Sequence, residues 1–90
     1  MTPLTRAEAL TIMRQEISRI APDADVDAVP TDAPFREVLE LDSLDFLNLV
    51  EVLIERTGAR IDEEDYASLR TLSGSADFLV ARTADRAAAP

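Results

Sequence analysis

The chain predicts an all-α fold: a small four-helix bundle with three longer helices, one short helix and a long loop between helices 1 and 2. Three observations lead there. Apolar residues recur at helical spacing in separate stretches. No segment sustains the in-out alternation of a strand. One stretch of about twenty residues, from Ala21 to Asp42, is too rich in Pro and Asp to continue a helix.

The first helix is expected over 6–20. Thr5 and Glu8 have the spacing of a capping box, in which each side chain binds the other residue's backbone N–H. Leu10, Met13, Ile17 and Ile20 make one apolar face, and Pro22 closes the helix. In the loop that follows, Asp23, Asp25 and Asp27 have the spacing that opens a calcium loop. Ala28 and Pro34 stand where that motif needs Gly and a bidentate Glu, so the acids are read as solvated. A loop this long is usually functional or disordered. Phe35, Val38, Leu39 and Leu41 are read as anchors for its second half.

The strongest helix is expected over 44–57. At 100° per residue, Phe46, Leu49, Val50 and Leu53 share a buried sector. Leu44, Leu47, Glu51 and Glu55 share an adjacent one, with Ile54 on the border. Gly58 is placed to end the helix in a left-handed conformation. Ile61 anchors a short connection. A short acidic helix over 62–69 turns Tyr66 and Leu69 inward, its acids matching the positive end of the helix dipole. Thr71 can cap a last helix of about 72–82, with Leu72, Ala76 and Leu79 on one face, Phe78 beside it and Gly74 weakening its first turns. Residues 83–90 are expected to be a flexible tail on a single domain, 1–90, with an ordered core of about 5–82.

Composition excludes several functions. The net charge is −9 and all nine basic residues are Arg. Such a field disfavours nucleic acid and anionic membrane and attracts basic protein surfaces. There is no His, Cys or Trp. That removes a Ser-His-Asp triad, a cysteine nucleophile, disulfides and any ordinary zinc site. A chain of 90 residues has little material for the deep cleft that carboxylate-only catalysis needs. No apolar run reaches membrane-span length and the N-terminus lacks a secretory pattern, so a cytoplasmic protein is expected; it is also expected to be a monomer.

The remaining candidate is Ser43, in Leu39–Asn48, LELDSLDFLN. Its plain reading is the N-cap of the strongest helix. A second reading uses its position: a serine where a long loop meets a helix N-terminus is exposed, and orphan N–H groups and the helix dipole favour an added phosphate there.

The run FREVLELDSLDFLNLV, from Phe35 to Val50, resembles the core motif of acyl carrier proteins. The resemblance continues through Ile61, the short acidic helix and TLSGSADFL, and covers roughly residues 5–82. It implies that Ser43, within the attachment motif Asp42-Ser43-Leu44, carries a covalent 4′-phosphopantetheine taken from coenzyme A by a phosphopantetheinyl transferase. The thiol of that arm would hold acyl groups as thioesters in fatty-acid, polyketide or related biosynthesis. The protein would be a carrier and not an enzyme. With no Cys in the chain, the arm's thiol would be the sole thiol of the molecule. Two positions depart from the family pattern: Glu40 stands where Gly is frequent and Val38 where Asp is frequent. Peptidyl and aminoacyl carriers are similar but usually place another residue before the serine, so Asp42 points to the acyl branch. The other alternative is a non-covalent acidic interaction module in which Ser43 is only a cap.

Partner and cargo expectations follow. From Glu37 to Asp65 there are ten acids against two arginines, Arg56 and Arg60. Leu44, Asp45, Leu47, Glu51 and Glu55 are therefore expected to dock basic surfaces of acyl-loading, ketosynthase-type or acyltransferase enzymes through brief contacts. Phe46, Leu49, Leu53, Ile61 and Tyr66 are the candidate lining of an acyl cavity, which the Phe46 ring would narrow in favour of short or polar cargo. A chain beginning at Met1 and ending near its last helix reads as a free-standing carrier.

Overall fold

The computed structural model describes residues 4–88, with side chains through residue 84. Helix α1 spans Arg6–Ile20 and has the expected capping box: Glu8 N–H donates to Thr5 Oγ1 (3.1 Å) and Thr5 N–H to Glu8 Oε1 (3.1 Å). Those hydrogen bonds favour the ionised form and hold the Glu8 carboxyl below its usual range. Helix α3, Ser43–Thr57, ends at Gly58, whose φ of 72° is the left-handed cap expected there. Helix α4 spans Leu72–Ala88. The long helices bury Met13 and Ile17 of α1, Leu49 and Leu53 of α3, and Leu72, Ala76 and Leu79 of α4 in one core. Helix α1 lies against both α3 and α4. No strand forms among the described residues; an isolated bridge pairs Pro34 with Thr71.

The short acidic element is a 3₁₀ helix, Glu63–Leu69, rather than α-helix. In 3₁₀ geometry residues three apart align. Tyr66 and Leu69 are three apart, and both turn inward as expected, Leu69 fully and Tyr66 partly. Asp62 and Asp65 close the start of this element with a capping box of their own.

The long loop is more structured than its composition indicates. Val26 and Val29 are buried around a 3₁₀ turn, Val26–Ala28. Phe35 opens a single helical turn, α2, Phe35–Val38, and is fully buried. Ser73 N–H donates to Thr31 O (2.8 Å), tying the loop to the start of α4. Phe35 and Leu41 anchor the loop as expected and Leu39 does so partly, but Val38 is 51% exposed. A single turn of helix has one inward side, and Phe35 takes it.

Helix α4 also runs past the expected end near residue 82. Its apolar stripe of Ala76 and Leu79 continues to Thr83, which is buried and whose hydroxyl donates to Leu79 O (2.8 Å) and accepts from Leu4 N–H (3.3 Å). The flexible tail expected from 83 therefore does not begin there; residues 89–90 lie outside the described residues.

Candidate functional site at the start of helix α3

The cap of α3 is Asp42, not Ser43. Asp45 N–H donates to Asp42 Oδ1 (2.8 Å), and Asp42 N–H donates to Asp45 Oδ2 (3.4 Å). Both acids are thus occupied at the helix start, where they also match the dipole. Ser43 is the first helical residue. Its side chain is exposed, and its hydroxyl makes no hydrogen bond among the described residues. The capping duty that would have explained Ser43 is performed by its neighbour. What remains is an exposed hydroxyl beside backbone N–H groups and the positive end of a fifteen-residue helix.

The approach to Ser43 is set by Glu40. Leu41 N–H donates to Arg36 O (2.9 Å), so the chain leaves α2 through a tight left-handed turn. Glu40 occupies it with φ 55°, an uncommon conformation for a residue with a Cβ. This is the position at which the family pattern often has Gly. A residue with a Cβ in this conformation carries local strain that glycine would not.

Ser43 lines a cleft of about 830 Å³ between the α2 turn, the start of α3 and the 3₁₀ helix. Phe46 and Tyr66 also line it, their rings packed edge to face with centroids 5.3 Å apart. The other candidate cavity residues do not line it: Leu49, Leu53 and Ile61 are buried in the main core. Helical angle separates the buried face of α3 from the exposed one, but Phe46 is near Ser43 while Leu49 and Leu53 lie one and two turns deeper. The lining also contains two arginines that the sequence did not single out, Arg36 and Arg70. The Arg36 guanidinium sits over the Phe46 ring, 4.6 Å from its centroid. Periodicity carries no signal for them, because neither lies on a long helix.

Along α3, Leu44 is 66% exposed and Leu47 46% exposed. Glu51 and Glu55 are exposed on the same helix and take no ion pair among the described residues. Ile54 extends this stripe. Asp45 is set apart from it, half-buried with its carboxylate engaged in the cap.

A free serine hydroxyl at a helix start, beside a cleft and an acidic helix face, fits the attachment site that the sequence resemblance implies. Residues 10–79 match the family model described as the phosphopantetheine attachment site. An acyl carrier protein of Rubrobacter xylanophilus is 36% identical over 66 residues, covering 73% of this chain and 82% of the relative. The chain belongs to the acyl carrier protein family. A second relative, polyketide-8 synthase acyl carrier protein 2 of Streptomyces avermitilis, is 35% identical over 63 residues, with 70% of this chain and 72% of the relative covered. Acyl carrier proteins are carriers and not enzymes. Their prosthetic group is covalently bound 4′-phosphopantetheine, and they are served by a phosphopantetheinyl transferase and by acyl-processing enzymes. No helix among the described residues is long and apolar enough to cross a membrane, and no group of residues there has the makings of a metal site.

Proposed function

We propose that Ser43 is the attachment residue and that the protein shuttles acyl intermediates in fatty-acid, polyketide or related biosynthesis, as a cytoplasmic monomer. The observation that carries this reading is the idle hydroxyl of Ser43. It is exposed and unbonded at the first residue of α3, while Asp42 does the capping. In the transfer, the Ser43 oxygen forms a bond to the β-phosphorus of coenzyme A, the diphosphate bridge breaks, 3′,5′-ADP leaves and the hydroxyl proton passes to the transferase. The arm supplies a thiol that holds acyl groups as thioesters. This chain supplies position and recognition. The N–H groups of Ser43 and Leu44 make no hydrogen bond among the described residues, which leaves them available to a phosphate attached at the helix start.

The exposed stripe of Leu44, Leu47, Ile54, Glu51 and Glu55 supports docking to basic enzyme surfaces. Its apolar centre is small and its acids are unpaired, which suits brief, electrostatically steered contacts. Asp45, set apart from this stripe with its carboxylate engaged in the cap, is left out of the proposed docking contact. Phe46 and Tyr66 are the cargo-facing members of the proposed cavity.

Loading of the wild-type chain and of Ser43→Ala by a broad-specificity phosphopantetheinyl transferase with coenzyme A and Mg²⁺ tests the reading. The expected result is a mass gain of one phosphopantetheinyl group in the wild type and none in the variant. A gain of the same size in both would remove Ser43 from the role.

A further inference from the structure

Of the nine arginines, Arg86 lies outside the described side chains. Six of the others, Arg6, Arg14, Arg19, Arg56, Arg60 and Arg82, each meet a carboxylate at ion-pair distance. The remaining two are Arg36 and Arg70. Neither has an ion pair among the described residues, and both line the cleft beside Ser43. In a chain with eighteen acids, carboxylates to pair with are abundant. The cleft lining nevertheless includes two arginines without an ion pair among the described residues and one acid, Glu37, which pairs with neither. Stacking on Phe46 engages the flat face of Arg36 and leaves its N–H edge free to bind an anion. The rest of the lining is largely apolar, with Leu41, Phe46, Leu47 and Leu69 among it.

We propose that this cleft holds acyl chains with an apolar body and a terminal carboxylate, Arg36 and Arg70 binding the carboxylate. The proposal rests on Ser43 as the attachment site and adds a cargo class to that reading. The arm's own phosphodiester is the other anion close by. It is served at Ser43 by the unpartnered N–H groups of the first turn of α3, which leaves the arginines for an anion that arrives with the cargo. A fully apolar chain would cover the half-buried Arg36 without compensating its charge, and burying an unpaired charge is unfavourable.

The test compares two cargoes of equal length, octanoyl and its ω-carboxylated counterpart. Each is loaded from its coenzyme A thioester by the transferase onto the wild type, Arg36→Gln and Arg70→Gln. Hydroxylamine, neutral at the working pH, then takes the acyl group as a hydroxamate and frees the arm's thiol; rates are normalised to the free pantetheine thioesters. In the wild type at low salt, the carboxylated chain is expected to be cleaved about threefold to tenfold more slowly than octanoyl, the range one or two partly exposed ion pairs supply. In each variant that difference shrinks: the carboxylated chain is cleaved faster, and octanoyl, which no longer covers an uncompensated charge, is cleaved no faster than in the wild type. The Arg36 and Arg70 Nε–H resonances shift with the carboxylated cargo and not with octanoyl. Arg70 is exposed, so its variant is expected to fold whatever the fate of Arg36→Gln.

Equal rates for the two cargoes in the wild type would overturn the proposal, as would a difference that survives in both variants. Resonance shifts already complete in the unacylated holo-protein would assign the arginines to the phosphodiester instead. If the wild type accepts neither acyl-phosphopantetheine, the attachment reading fails and this proposal with it. If both load and behave alike, the cleft proposal alone fails.

Discussion

At the scale of single residues, the start of α3 divides its labour. Asp42 holds the helix and Ser43 is left free. Their substitutions should therefore separate. Asp42→Ala removes a capping side chain and is expected to cost about 1 kcal/mol of stability. Ser43→Ala removes an exposed hydroxyl with no partner and should stay within about 0.5 kcal/mol of the wild type. Chemical denaturation of the two apo variants checks the pair; a larger loss for Ser43→Ala than for Asp42→Ala would return the cap to the serine. Both residues are good caps by type, so residue preference alone does not choose between them. The pattern that does is reciprocal: Asp45 stands three residues after Asp42, whereas Phe46 stands three after Ser43 and has no acceptor to offer. Glu40 makes a second residue-scale case. Its φ of 55° imposes a strain that glycine does not feel. Glu40→Gly is expected to stabilise the protein by about 1 kcal/mol, raising the melting temperature by about 4–8 °C for a domain of this size. Calorimetry of the variant checks it, and an unchanged or lower melting temperature would mean that the left-handed turn costs less than the freedom glycine adds to the unfolded chain.

At the scale of elements, the long helices were legible because each buries one stripe at a 3.6-residue period and each has a chemical stop. Pro22 closes α1 and Gly58 closes α3. What escaped was set by packing across the chain. The last helix continues because Thr83 meets Leu4, a contact between residues 79 apart that no local window contains. The type of the short acidic element escaped as well, since a seven-residue segment fits the α and 3₁₀ periods almost equally. Gly74 is a related case. By propensity, alanine in the first turns of α4 would be an improvement of about 1 kcal/mol. In the fold, a Cβ at that position would lie 3.0 Å from Ser68 O and 3.0 Å from Thr71 Oγ1, the oxygen that caps the helix by accepting from Gly74 N–H (2.9 Å). Gly74→Ala is therefore expected to lower stability, read as a reduced denaturation midpoint. An increased midpoint would show that the connection from the 3₁₀ helix relaxes freely.

At the scale of the whole molecule, charge is sorted by location. Ion pairs tie elements together: Arg6 of α1 to Asp77 of α4 (3.0 Å), and Arg56 of α3 to the buried Glu16 of α1 (3.3 Å). The acids of the α3 face are unpaired and turned to solvent. Net charge and the position of Leu44, Leu47, Glu51 and Glu55 were readable from the sequence, because the exposed side of a long helix follows from its buried side. The cleft was less readable, because its walls come from three separate elements: of the residues proposed for an acyl cavity, Phe46 and Tyr66 lie along it, while Leu49, Leu53 and Ile61 sit in the main core. If the α3 face docks basic enzymes, charge reversal of Glu51 and Glu55 to Lys should slow transferase loading at low salt and flatten its dependence on ionic strength. Stopped-flow loading rates across a salt series check this; parallel salt profiles for wild type and variant would remove these acids from the docking face.

The central claim, that Ser43 carries the arm, has a direct readout because the chain has no cysteine. The measurement is thiol titration before and after incubation with coenzyme A, Mg²⁺ and a phosphopantetheinyl transferase, with the modified peptide located by mass spectrometry. The account predicts a rise from zero to one titratable thiol per chain, carried on the peptide containing Ser43. No thiol with two different transferases, while a control carrier is modified, or a thiol located at another residue, would contradict it.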